Sequence, residues 1–310
     1  SMCECVLHVN NLPGGHGHHD GHMKGRELEA VLDHPLLQLT PQEQQALDKT
    51  LQQPRRKVET KARPAVGSPN LVVADDRLTD IQLPGTGAVV SPRSGVQLAY
   101  ATLAKEFPHQ FFSISCDLDP STKLDKAKQQ LPPENQFEMG ITEQASSLMA
   151  DGLAMSGDQR LVVFGTFAAF FEGIAREGME VWRYQRNLNG INEGLNVTMH
   201  LSHVGACTGR DQFSGWSLDW INVAIGMLPD LHRCYLPADV RAAFVAVRDL
   251  AAHYGGHLIG VPRADVPVLS KQDSDQPLCE ATSPWTPVTP LRAAEGARKA
   301  VLAVGCTASL

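Results

Sequence analysis

From about residue 91 onward, uniformly apolar runs trade places with longer runs whose apolar residues recur at helical spacing. Phe111–Cys116, Arg160–Ala168, Asn196–Val204, His232–Leu236 and His257–Val261 read as strands. Ser94–Phe107, Ile141–Met155, Phe170–Gln185, Ser217–Ile225 and Asp239–Tyr254 read as helices. A strand that is apolar on every residue must be covered on both faces, and strands alternating with helices of this length build parallel crossover units. The pattern therefore predicts an α/β fold, a mostly parallel sheet with helices on both faces.

The flanks are patterned differently. Residues 1–90 read as an irregular segment and linker. They hold one short apolar strand candidate, Cys5-Val6-Leu7-His8-Val9, and a Gly/His-rich loop over residues 14–22. Two short helices follow, Arg26–Leu37 and one opening at Thr40-Pro41-Gln42-Glu43, a capping box with proline at the first helical position. Residues 53–92 are rich in Pro, Arg, Lys and Gly and read as a linker lying on something else. The α/β domain is expected over residues 91–263. Residues 264–310 read as a Pro-rich linker and the start of a possible further domain, because Lys299–Cys306 is again apolar.

Composition narrows the function classes. The 310 residues are 43% hydrophobic and carry a net charge of −7, with no long basic run, which argues against a nucleic-acid binder that works by charge. The longest apolar stretch, Leu161–Phe171, is 11 residues, about half of what a membrane-spanning helix needs. No basic-then-apolar leader opens the sequence as given. The seven cysteines are odd in number and mostly sit in apolar runs, so they read as reduced core thiols of a cytoplasmic protein.

Ligands on parallel sheets bind beyond the carboxyl ends of the strands, which singles out residues 117–121, 166–170, 203–211 and 262–263. Glu143 lies in the first turn of an otherwise apolar helix; by spacing alone it is a carboxylate favoured by the helix dipole. Phe167 and Phe170 follow a buried strand and by pattern alone are core aromatics. His109, His200, His232, His253 and His257 have no motif around them and read as satisfied or exposed side chains.

Two motifs in register change these readings. Gly140-Ile141-Thr142-Glu143-Gln144-Ala145, then Gly165-Thr166-Phe167-Ala168-Ala169-Phe170-Phe171, resembles the pyrimidine-binding domain of the transketolases, thiamine-diphosphate enzymes that move two-carbon ketol units between sugar phosphates. The resemblance covers roughly residues 88–263. It implies that Glu143 hydrogen-bonds the aminopyrimidine ring, favouring the imino tautomer whose nitrogen takes the proton from thiazolium C2. It implies that Ile141, Phe167 and Phe170 line the ring and that Asp117, in Asp117-Leu118-Asp119-Pro120-Ser121, lies beside the cofactor. Arg93, Ser121 and Arg263 fall where the family holds the sugar phosphate, a dianion suited to two guanidiniums and a hydroxyl. His203 matches the family histidine near the reacting carbonyl, and Asp211 matches an aspartate that binds a substrate hydroxyl.

Departures accompany the matches. A third family aromatic is Gly173 here. After Asp211 the chain reads Gln212-Phe213-Ser214-Gly215-Trp216, so a second substrate histidine of the family is Gly215. That loop is also similar to the homodimeric pyruvate dehydrogenase first component. The family's Gly-Asp-Gly motif, which with a downstream Asn holds magnesium and diphosphate, is missing; Gly157-Asp158-Gln159 lacks the second glycine. The resemblance thus implies that thiamine diphosphate and Mg2+ are held mainly by a diphosphate-binding subunit or domain, within a homo- or hetero-oligomer, and that no metal ligand belongs to this chain. The histidine loop at residues 16–22 leaves zinc binding open, although its spacing fits no standard zinc module. Three functional readings follow: the pyrimidine-binding part of a transketolase-like enzyme, a 2-oxo acid dehydrogenase first-component-like decarboxylase, or a non-catalytic binding protein on the same scaffold.

Overall fold

The computed structural model describes residues 39–51, 70–156, 160–189, 195–204, 220–227, 232–269 and 279–286. The chain divides into two units, Ser1–Thr60 and Lys61–Leu310. In the first, helix α1 (Pro41–Leu51) starts at the capping box: Thr40 N–H donates to Glu43 Oε2 at 2.8 Å, and Glu43 N–H donates back to Thr40 Oγ1 at 3.3 Å. Each pairing satisfies a backbone donor that the helix start leaves open.

The second unit holds the α/β body. Its elements run β1 (Val89–Val90), α2 (Arg93–Glu106), β2 (Phe111–Ser115), α3 (Asp119–Thr122), α4 (Asp125–Lys128), β3 (Gln136–Glu138), α5 (Glu143–Met155), β4 (Leu161–Phe167) and α6 (Phe171–Asn189). They continue through β5 (Val197–Ser202), α7 (Trp220–Met227), β6 (His232–Tyr235), α8 (Val240–Ala252), β7 (Gly256–Val261) and β8 (Val266–Pro267). Six strands form one sheet in the order β3-β2-β4-β5-β7-β6, with every neighbouring pair parallel. Successive side chains point to opposite faces, and both faces are buried. Phe111, Leu161, Val163 and Ile259 meet Tyr100 and Leu103 of α2 and Phe244 and Leu250 of α8. Phe112, Val162, Phe164 and Met199 meet Ala150 of α5, Phe171 and Trp182 of α6 and Trp220 of α7. Two-sided burial is why these strands are continuous apolar runs rather than alternating ones.

Two close approaches fix the layer that carries the site. At Gly95, in the first turn of α2, a Cβ would lie 2.0 Å from the Val240 carbonyl oxygen, so only glycine lets α2 sit this tightly on α8. At Gly165 on β4, a Cβ would lie 2.5 Å from Leu124 Cδ1 and 3.3 Å from Thr122 Oγ1; the absent side chain lets the α3–α4 turn descend onto the sheet.

The stretch before β1 packs on this body. Leu71, Val73 and Leu78 are buried in the α2–α8 layer, and Leu71 N–H donates to Ala251 O at 2.8 Å. β1 pairs antiparallel with β8, Val89 opposite Pro267. Arg241 of α8 gathers both flanks. It donates to Pro84 O at 3.0 Å and Cys279 O at 2.5 Å, and pairs with Glu280 at 2.7 Å. Among the described residues no helix is long and apolar enough to cross a membrane.

Candidate functional site

The parallel sheet brings its strand ends to one edge, and a knot of hydrogen bonds forms there around Arg93, the first residue of α2. Ser91, just after β1, donates from Oγ to Pro262 O at 3.3 Å and accepts from Arg93 Nε at 3.1 Å. Arg93 Nη1 donates to Ser121 O at 2.9 Å and stands 3.3 Å from His203 Nε2; Nη2 donates to Arg263 O at 3.3 Å. Four candidates separated by up to 170 residues are thus joined by one guanidinium. Arginine only donates, so His203 Nε2 accepts in this pair and its neutral ring carries the proton on Nδ1.

Burial, and then the neighbouring Arg263 charge, push the Arg93 guanidinium below its ordinary range, with Asp265 partly opposing them. The first turn of α2 holds no acidic residue. Two guanidiniums at the positive end of a 14-residue helix form a setting suited to an anion. His203 (φ 60°), Asp117 (φ 61°) and Lys123 (φ 66°) all adopt the left-handed backbone that non-glycine residues avoid, two at strand ends and one at the end of α3. Strain of this kind gathers where the surrounding structure forces an exact placement, as in binding sites.

The aromatic half adjoins this knot. The His203 ring stacks on Phe167 with centroids 4.0 Å apart and planes 18° apart, and Phe167 stacks on Phe170 at 6.2 Å. Phe170 is 42% exposed and Ile141 is 80% exposed, apolar surface offered at the strand ends. Glu143, the first residue of α5, is buried and its carboxylate makes no hydrogen bond among the described residues. The Gln144 amide nitrogen lies 3.7 Å from where a Gly173 Cβ would be, so the first turns of α5 and α6 adjoin. Burial raises the Cys116 thiol above its ordinary pKa, with smaller contributions from the Glu143 and Glu138 charges, while Sγ donates to Ser146 Oγ at 3.3 Å. A carboxylate at the start of α5 that no hydrogen bond holds among the described residues, near stacked aromatic faces, fits a flat heteroaromatic ring that both stacks and hydrogen-bonds.

Asp117 is exposed. Its N–H donates to Glu138 Oε1 at 2.5 Å, and Lys128 holds Glu138 Oε2 at 3.2 Å and pairs with Asp119. Burial raises the Asp119 carboxyl while Lys128 pulls it down, and the Asp117 N–H and Lys128 outweigh burial in lowering Glu138. This clamp around Asp117 has no sign in the sequence beyond a charged residue closing a short strand, and Ser91 has none. Asp211, the loop at residues 212–216 and the histidine-rich loop at residues 16–22 lie outside the described residues.

The family model described as transketolase, pyrimidine binding domain matches residues 89–265. Among solved structures, transketolase from Campylobacter jejuni is 18% identical with a TM-score of 0.50, covering 63% of this chain and 30% of that one. Transketolase from Pichia stipitis, solved with sedoheptulose 7-phosphate, is 18% identical with a TM-score of 0.50, covering 64% of this chain and 29% of that one. A split-gene transketolase, an inactive β4 tetramer, is 26% identical over 59% of this chain and 55% of that one, with a TM-score of 0.46. The chain therefore spans about half the length of the last protein and under a third of the other two. No curated protein sequence matches it. With a family model covering more than half its length and a six-stranded parallel sheet of the expected architecture, the chain belongs to the transketolase pyrimidine-binding domain family.

Proposed function

We propose that this chain is the pyrimidine-binding part of a transketolase-like enzyme that transfers two-carbon ketol units between sugar phosphates, working with a separate diphosphate- and magnesium-binding subunit or domain in the cytoplasm. The observation that carries the reading is the convergence of the Ser121 and Arg263 carbonyls and the His203 ring on the Arg93 guanidinium at the strand ends. A sugar phosphate needs this pocket, whereas a 2-oxo acid offers it only one carboxylate. The unpaired thiols of Cys116, Cys234 and Cys279 suit a reducing compartment.

Thiamine diphosphate, when bound, supplies the carbon nucleophile of ketol transfer. Glu143 would hold a ring nitrogen of its pyrimidine through its carboxylate, which makes no hydrogen bond among the described residues. Phe167 and Phe170 would pack against the ring, Ile141 would shield it from water, and Asp117 would stand at its edge. Arg93 and Arg263 would take the phosphate of the sugar, with the Ser121 hydroxyl beside them. His203 begins hydrogen-bonded to Arg93; an anion that draws the guanidinium away leaves Nε2 able to take a proton, which places this histidine with the anion as well as with the reacting carbonyl. Asp211 would bind a substrate hydroxyl. The diphosphate and Mg2+ would be held by the partner, because this chain has no Gly-Asp-Gly motif.

Calorimetric titration with thiamine diphosphate and magnesium tests the reading, first on this chain and then on its mixture with a diphosphate-binding partner chain. Binding in the mixture that is lost in Glu143→Ala is the expected result. A folded mixture that binds no cofactor, with intact partner, would refute it.

A further inference from the structure

β5 carries one histidine and a second follows its last residue, and only that second one, His203, belongs to the rim of the site. His200, three residues earlier, is completely buried beneath it. Along β5 Val197, Met199 and Leu201 enter the core under α5 and α6, so His200 faces the opposite side, toward α2 and α3. Its Nε2 lies 2.9 Å from Thr122 O and 3.2 Å from Ser202 Oγ. Tyr100 of α2 meets the ring edge-on, centroids 5.6 Å apart and planes at 87°. A carbonyl oxygen only accepts, so Nε2 carries the proton and donates to Thr122. Burial, assisted by the nearby Arg93 charge, lowers the imidazole pKa to about 4, so the ring is neutral.

These contacts reach three of the four segments that supply the anion pocket, all but the stretch after β7 that carries Arg263. Thr122 is the last residue of α3, a four-residue helix whose final carbonyls have no helical donor. The residue before it, Ser121, offers its carbonyl to Arg93. Tyr100 stands two turns along α2 from Arg93. Ser202 precedes His203, which faces the same guanidinium. The gap at Gly165 lets α3 descend within reach of the imidazole.

We propose that His200 is a positioning residue for the anion pocket: its Nε2–H fixes the height of α3 above the sheet, and so sets the spacing of Ser121 from the Arg93–His203 pair without touching the ligand. The proposal rests on the reading of that pocket given above. It predicts that phosphate affinity responds to the donor at position 200 and not merely to the volume there.

The test uses inorganic phosphate as the probe, titrated calorimetrically into the full chain as wild type, His200→Leu and His200→Gln. Glutamine retains an N–H donor near the place of Nε2; leucine keeps apolar bulk and no donor. The expected result is about tenfold weaker phosphate binding in His200→Leu, recovered in His200→Gln at a similar melting temperature. Equal affinity in wild type and His200→Leu overturns the proposal, as does an equal loss in both variants. Should His200→Leu fail to fold, His200→Asn, whose amide falls short of Thr122, takes its place. If the wild type binds no phosphate, the pocket reading fails by itself. His200 is then decided by histidine 15N spectra of the wild type: an Nε2–H tautomer with the Thr122 bond intact retains the positioning of α3, and an Nδ1–H tautomer overturns it.

Discussion

Asp151 sits on α5 two turns beyond Glu143, 1% exposed in an apolar layer. Its Oδ1 accepts from Trp182 Nε1 at 2.8 Å, while Oδ2 has no hydrogen-bond partner among the described residues. Burial raises its pKa from 3.8 to about 8, against the smaller opposing effect of the Trp182 bond. The folded protein thus binds this proton more tightly than the unfolded chain does. Below the unfolded value both states are protonated and the group costs nothing. As pH rises from about 4 toward 8, the unfolded state ionises while the folded state does not, and stability falls by about 1.4 kcal/mol per pH unit, with a ceiling on the order of 6 kcal/mol. Asp151→Asn keeps an oxygen for Trp182 and removes the titration. Its amide adds a buried donor at a cost of about 1–3 kcal/mol, but that cost does not vary with pH. Urea unfolding at pH 5, 6 and 7 should therefore show the variant gaining about 3 kcal/mol on the wild type from pH 5 to pH 7. Parallel stability profiles for the two proteins would refute the reasoning, because they would mean that Asp151 ionises equally in both states.

Two further predictions follow from close contacts. Gly95→Ala drives a methyl group into the Val240 carbonyl, a backbone atom that cannot swing aside, and should cost about 3 kcal/mol of stability in urea unfolding; a loss below a few tenths would show that α2 and α8 separate easily. Arg93→Lys keeps the charge but cannot bond Ser121 O, His203 and Arg263 O together, so inorganic phosphate should bind about tenfold more weakly by calorimetry. Unchanged affinity would show that charge alone holds the anion.

The apolar runs of β2, β4, β5 and β7 and the periodic helices between them are legible in the sequence because both sheet faces are covered, leaving a strong signal at each strand. β3, α3 and α4 are not legible. Elements of three or four residues complete no period, and β3 has only one neighbour in the sheet. The packing of Leu71, Val73 and Leu78 is hidden for another reason: they sit in a polar, Pro-rich stretch, and what buries them lies some 170 residues away on α8. Within the site, Arg93, Ser121, His203 and Arg263 stand out through the family resemblance, but their joining through one guanidinium is a tertiary fact. His200 looks like any lone histidine in an apolar strand, and only the carbonyl above it distinguishes it.

The two arginines of α8 give the body a neck. Arg241 reaches Pro84 on the way in and Cys279 on the way out, and Arg248 reaches Asp75 and Ser283 in the same manner. Entry and exit are therefore neighbours on one helix, with the β1–β8 ribbon closing the loop between them. A domain fused upstream of the body or downstream of it would leave through the same doorway. On the reading proposed above, a segment joined before Asn70 and one joined after Thr286 would thus both start from the α8 side of the body, whichever way two coding segments are ordered.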